Sequence, residues 1–163
     1  MSNLGKLLEL IILRKVEPYI DGALDPSMHG FRRNKGTETA LVSLLDEVKS
    51  LKEKGKKVAV LALDCSSAFD LLDHDLIIKS LEIIGAGRKM VQWSKSFLAG
   101  CEYSIRIEDH ISSSWSSEWG AGQGRRSSPP FFSIGSLSMP LWTDIVKNVI
   151  FADDRSQIIH GDT

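Results

Sequence analysis

Cysteine is scarce in this chain: Cys65 and Cys101 stand alone, with no C-x-x-C pair. That excludes a disulfide framework and suits an intracellular setting, a reducing nucleus or cytoplasm. Long apolar runs are missing too, since nothing approaches the roughly 20 residues that cross a bilayer. The apolar N-terminus is broken by Lys6, Glu9, Arg14 and Lys15. It lacks the uninterrupted centre of a signal peptide and is expected to be a helix of the fold. A net charge of one sign is also wanting, at −1 formally. A nucleic-acid binder more often carries a basic footprint.

What charge there is lies unevenly. From Phe31 to Lys57 there are eight Lys or Arg against four acids, and from Met139 onward two against four. The 163 residues carry 42% hydrophobic and 25% charged side chains, the balance of one globular domain. No internal repeat or linker divides them.

Leu4, Leu7, Leu8, Ile11, Ile12 and Val16 recur at helical spacing, which predicts an amphipathic helix ending near Pro18. Residues 21–36 read as loop. Ala40, Leu41, Leu44, Leu45, Val48 and Leu51 predict a second helix, stopped at Gly55. Val58 to Leu63 is a short continuous apolar run, the pattern of a strand buried on both faces, and Asp64 ends it. Helices are expected over 76–84, capped by Gly85, and over 89–98. A hairpin is expected around Glu108-Asp109-His110, and Pro129-Pro130 should open a short helix. Val149 to Ala152 is a second apolar strand closed by Asp153-Asp154, with Ser156 to His160 as its hairpin partner.

Carboxylates at strand ends are held rigidly and still reach solvent. Hard cations such as Mg²⁺ take oxygen ligands and share one or two carboxylates with substrate phosphates. Two such ions can clamp the attacking and leaving oxygens of a phosphoryl transfer. Aspartates also simply mark turns, and spacing alone does not bring Asp64 to Asp153.

The surrounding residues carry a resemblance. Asp64-Cys65-Ser66-Ser67-Ala68-Phe69-Asp70, followed by Leu72-Asp73-His74, resembles the D-x-x-x-A-F-D motif of non-LTR (LINE-like) retrotransposon reverse transcriptases. Phe151-Ala152-Asp153-Asp154 is similar to their F/Y-A-D-D box. His29-Gly30-Phe31-Arg32-Arg33-Asn34-Lys35-Gly36-Thr37-Glu38-Thr39-Ala40-Leu41 looks like their fingers block, and Leu4 to Ile20 resembles the helix before it. Four blocks in family order span nearly the whole chain.

The resemblance implies an α+β fold: a polymerase palm-like antiparallel sheet with helices on one face, plus a helical N-terminal fingers segment. Residues 1–163 would form one partial reverse transcriptase domain, with 1–57 fingers-like and 58–163 palm. The implied activity is RNA-directed DNA polymerisation on an RNA template and DNA primer, consuming deoxynucleotides, with Mg²⁺ or Mn²⁺ as cofactor. Asp64, Asp153 and Asp154 would be the catalytic carboxylates and metal ligands, with the Cys65 carbonyl as a further ligand. Phe69 would lie under the nucleotide sugar, and Arg32 and Lys35 would approach the triphosphate. Gln123 and Gly124 would belong to the nucleotide-positioning block. Read without the motif, Phe69 is equally a core aromatic, and Arg32, Arg33 and Lys35 a solvated basic loop.

The chain departs from the family in that last block, where Gly122 replaces a proline and Arg125 a small serine. It stops at Thr163, so thumb and primer grip are expected to lie outside it. The alternative reading is a catalytically inactive truncated remnant with at most weak nucleic-acid binding. An unrelated metal-dependent phosphohydrolase would have no need of the fingers block.

Overall fold

The computed structural model describes residues 3–99, 102–122, 125–138 and 146–162. In chain order the elements are α1 (Asn3–Ala23), α2 (Thr37–Glu53), β1 (Lys57–Leu63), α3 (His74–Ile83) and α4 (Arg88–Ala99). Four two-residue strands follow: β2 (Glu102–Tyr103), β3 (Arg106–Ile107), β4 (His110–Ile111) and β5 (Trp115–Ser116). Then come α5 (Ser128–Gly135), a 3₁₀ turn at Ser136–Ser138, β6 (Lys147–Phe151) and β7 (Asp154–Gly161). The fold is α+β with antiparallel sheets, as the sequence predicts. Contacts divide it into two compact units, Met1–Ile20 with Phe69–Ser138, and Asp21–Ala68 with Met139–Thr163.

The second unit holds the main sheet, in the order β1-β7-β6 with both pairings antiparallel. Helix α2 packs on all three strands. Ala40 and Leu51 of the helix meet Val149 and Ile158 of the sheet, with Leu44, Val48, Val58 and Phe151 against them. Burying a side chain such as Ile158 is worth about 1.5–3 kcal/mol. Leu41 and Leu45, expected on the same face, are exposed instead. A helical stripe covers only what its neighbour is wide enough to meet.

Strand β1 differs from its expectation. It is an edge strand, and Ala59, Val60, Leu61 and Ala62 are all exposed. A continuous apolar run signals double burial only where layers cover both faces of a sheet. Within this unit α2 supplies one such layer.

In the first unit, α3 packs on α4 and α5 around Leu72, Ile77, Leu81, Leu98, Phe131 and Ile134. Gly85, at φ +77°, ends α3 while the Gly85 and Ala86 amides donate to the Glu82 and Leu81 carbonyls. The hairpin turns on Glu108-Asp109, with Ile107 paired to His110 and Arg106 to Ile111.

Helix α1 runs five residues past Pro18. Its buried positions are Glu9, Leu13 and Ile20, whereas Leu4, Leu7, Leu8 and Ile11 are exposed. The inward face is therefore not the one that the leucine spacing marks. Glu9 is tolerated inside because its Oε1 accepts from the Ser127 hydroxyl at 2.5 Å and from the Ser127 amide at 3.3 Å.

Candidate catalytic carboxylate site

Strand β1 delivers Asp64 at its C-terminal end. The β1–β7 ladder closes on the pair Leu63↔Arg155, so Asp64 leaves β1 at the end of the sheet where Asp154 begins β7. The β6–β7 ladder closes on Phe151↔Asp154, which leaves Ala152-Asp153 as a two-residue turn. All three aspartates thus lie at one end of one sheet. Asp64, Cys65 and Asp154 are exposed and Asp153 is half-buried. Oxygen donors in that setting fit a hard divalent cation that completes its shell with phosphates. Among the described residues, no three His, Cys, Asp or Glu side chains are gathered tightly enough to cage an ion unaided.

The turn itself is strained. Ala152 sits at φ +55°, in the left-handed region that non-glycine residues enter at a cost of about 1 kcal/mol or more. The segment Ser27–Gly30 runs alongside. Met28 bridges in parallel to Ile150, with the Ile150 amide donating to the Ser27 carbonyl at 2.9 Å and the His29 amide to the Ile150 carbonyl at 2.7 Å. Gly30 comes so close that a Cβ there would lie 2.3 Å from the Ala152 nitrogen and 2.9 Å from its Cα.

His29 is buried and its Nδ1 lies 2.9 Å from the Thr39 hydroxyl. That hydroxyl donates to the Gly36 carbonyl, so Nδ1 carries the proton and donates to Thr39. Nε2 is buried with no hydrogen-bond partner among the described residues, and in this tautomer it presents a lone pair. Burial first, then the charges of Lys35 and Arg32, hold the imidazole below its usual range.

Arg32 donates from Nε to the Asp21 carboxylate at 2.6 Å, and from its terminal nitrogens to the carbonyls of Asp21, Leu24, Asp25 and Met28. Lys35 donates to the carbonyls of Pro26 and Met28. Burial and the Arg32 charge lower its pKa, against the opposing pull of Asp21 and Asp25. Both cations therefore staple the loop together in this conformation, while Arg33 beside them is exposed.

In the other unit, Phe69 stacks on Phe132 with ring centroids 4.4 Å apart, and its carbonyl accepts from the Ala121 amide at 2.9 Å. Arg125 lays its guanidinium over the Phe97 ring, 4.8 Å from the centroid. Gln123 and Gly124 lie outside the described residues. The sequence motifs mark the carboxylates but not the parts that brace their turn. Gly30, His29 and Thr39 all lie in the quoted fingers block, and the glycine was the one signal of a close backbone approach.

The model of the family "Reverse transcriptase (RNA-dependent DNA polymerase)" matches residues 1–160, and the chain belongs to that family. Over 143 residues, 86% of this chain, it is 29% identical to the RNA-directed DNA polymerase from mobile element jockey of Drosophila funebris. Over 106 residues, 65% of this chain, it is 27% identical to the Pol polyprotein of the type-1 retrotransposable element R2 of Popillia japonica. These relatives are of the non-LTR kind that the motifs resemble. The chain spans about 15% of the length of each.

Among solved structures, apo telomerase of Candida tropicalis, truncated from the C-terminal domain, superposes with a TM-score of 0.67 at 18% identity. The match covers 93% of this chain and 34% of that one. Candida albicans telomerase, in complex with a TWJ fragment of telomeric RNA, gives 0.61 at 14% identity, covering 95% and 30%. Likeness at that identity shows the fold. No described helix is long and apolar enough to cross a membrane.

Proposed function

We propose that this chain carries the catalytic carboxylates of an RNA-directed DNA polymerase, acting on an RNA template, a DNA primer and deoxynucleotides. The observation that carries the reading is the register that ends one ladder at Leu63↔Arg155 and the other at Phe151↔Asp154, so that Asp64, Asp153 and Asp154 come at the same end of one sheet. Asp64, Asp153 and Asp154, with the Cys65 carbonyl, would hold Mg²⁺ or Mn²⁺. Such ions supply Lewis-acid stabilisation of the charge that develops as a primer hydroxyl displaces pyrophosphate. The chain's own part is positional: strand ends fix the carboxylates, and a rigid sheet limits their drift.

Phe69, backed by Phe132, is a firm ring on which a sugar could rest. Gln123 and Gly124 remain proposed nucleotide contacts. Arg32 and Lys35 remain proposed contacts to the triphosphate, although here Arg32 and two of the three Lys35 donors also frame the basic loop, and Arg33 is the exposed cation beside them. Residues 1–57 and 58–163 keep their proposed roles as fingers-like and palm segments, although the compact units cut the chain elsewhere.

The test is Mn²⁺ titration by calorimetry in the presence of a deoxynucleoside triphosphate, comparing wild type with Asp153→Asn. Weaker binding by the variant is expected. Equal binding by both would remove the carboxylates from the site and the polymerase reading with them.

A further inference from the structure

We infer that Ser27–Gly30 is a clamp that holds the carboxylate turn in its strained form, with Gly30 as a positioning residue for Asp153. The inference rests on the reading of Asp153 and Asp154 as metal ligands for its functional consequence, but its structural half stands alone.

Three observations converge. Ala152 occupies φ +55°, which an alanine does not choose without help. Strained backbone persists where its surroundings over-determine it. Here the surroundings are identifiable: two backbone hydrogen bonds tie Ser27 and His29 to Ile150, two residues before Ala152. Gly30 then closes on Ala152, with no room for even a methyl group. The clamp is itself anchored at its far side, where His29 donates to Thr39 near the start of α2. A displacement at Gly30 is passed directly to the Ala152 peptide, and the next residue in the chain is Asp153.

The experiment uses the whole chain and two readouts. In metal-free protein, the Cβ chemical shift of Ala152 reports its left-handed backbone, and exchange of the Ile150 amide reports the hydrogen bond to Ser27. Mn²⁺ affinity reports the carboxylates. Gly30→Ala should move the Ala152 shift and weaken Mn²⁺ binding by about ten- to a hundredfold, the range for residues that orient metal ligands indirectly. Gly22→Ala, whose added Cβ meets nothing within 4 Å, should change neither.

Should Gly30→Ala fail to fold, Thr39→Val decides. Loss of the His29 anchor should speed Ile150 exchange and weaken Mn²⁺ binding, and Thr39→Ser should restore both. A folded Gly30→Ala protein with the Ala152 shift and Mn²⁺ affinity of wild type would overturn the clamp. So would a Thr39→Val protein in which both readouts stay put. If wild type binds no Mn²⁺, the metal reading fails, and the clamp is still judged by the metal-free shift.

Discussion

Arg32 reaches back across eleven residues to Asp21, Nε to Oδ1 at 2.6 Å, and spends its remaining nitrogens on the carbonyls around the end of α1. The Asp21 carbonyl lies in the last turn of α1, where carbonyls lack helical partners, and the others belong to the loop that follows. Helix α1 ends here, five residues beyond Pro18. The Arg32 side chain is only 11% exposed, so water does not readily take the place of its donors. Arg32→Ala should therefore destabilise by about 2 kcal/mol, in the range for hydrogen bonds to charged groups. Arg32→Lys should recover little, since an ammonium cannot imitate the planar fork. Urea melts of the two variants check this, and a stable Arg32→Ala protein would contradict it.

The clamp residue His29 makes stability depend on pH. Its pKa is lowered in the fold, by burial first and then by Lys35 and Arg32. A depressed value means that the unfolded chain takes up the proton first. The contribution of the neutral ring is therefore complete above about pH 6.5 and is lost as pH falls through the lower folded value. The melting temperature should drop as pH falls below about 6.5, and His29→Gln should reduce that drop. An equal drop in the variant would place the sensitivity elsewhere.

Glu9 supplies a stability prediction in the other unit. Its carboxyl group is buried, with Oε1 held by Ser127 and Oε2 without a hydrogen-bond partner among the described residues. Ser127→Ala should destabilise by about 1–3 kcal/mol, because a buried acceptor loses its donor. Adding Glu9→Leu should return much of that loss, since an apolar replacement removes the buried polar group that needs the donor. A double variant no more stable than Ser127→Ala would show that Glu9 is not the reason.

The sequence makes some of this legible and hides the rest for physical reasons. Asp64 and the Phe151–Asp154 box are readable because strand, turn and carboxylate are contiguous. The β6–β7 hairpin is readable because its two strands are neighbours in sequence. The exposed face of β1 is not, since an apolar run looks alike whether one layer covers it or two. The orientation of α1 was hidden because Glu9 meets Ser127 across 118 residues. Arg32 reads as a phosphate ligand or a loop cation until Asp21 and four carbonyls are seen around it. The tight approach of Gly30 to Ala152 joins positions that no local pattern connects.

The last prediction concerns turnover. The 163-residue chain, tested by itself, should not extend a primed RNA template at a useful rate. Polymerisation depends on placing a primer hydroxyl and a nucleotide together, and an error of about 1 Å can lower the rate about a hundredfold. A net charge of −1 offers little long-range attraction for a polyanionic duplex. Arg125 stands where the family carries a small serine, and its guanidinium is engaged with the Phe97 ring. Such a contact at a partly exposed site is worth only about 0.5–1 kcal/mol, so it does not hold the side chain away from an incoming nucleotide. Primer extension with Mg²⁺ and with Mn²⁺ should compare wild type, Arg125→Ser and an Asp153→Asn/Asp154→Asn double variant. Extension by wild type that the double variant abolishes would overturn the prediction and establish the carboxylates as catalytic. Extension that begins only with Arg125→Ser would show that the chain is sufficient and that this one cation disables it.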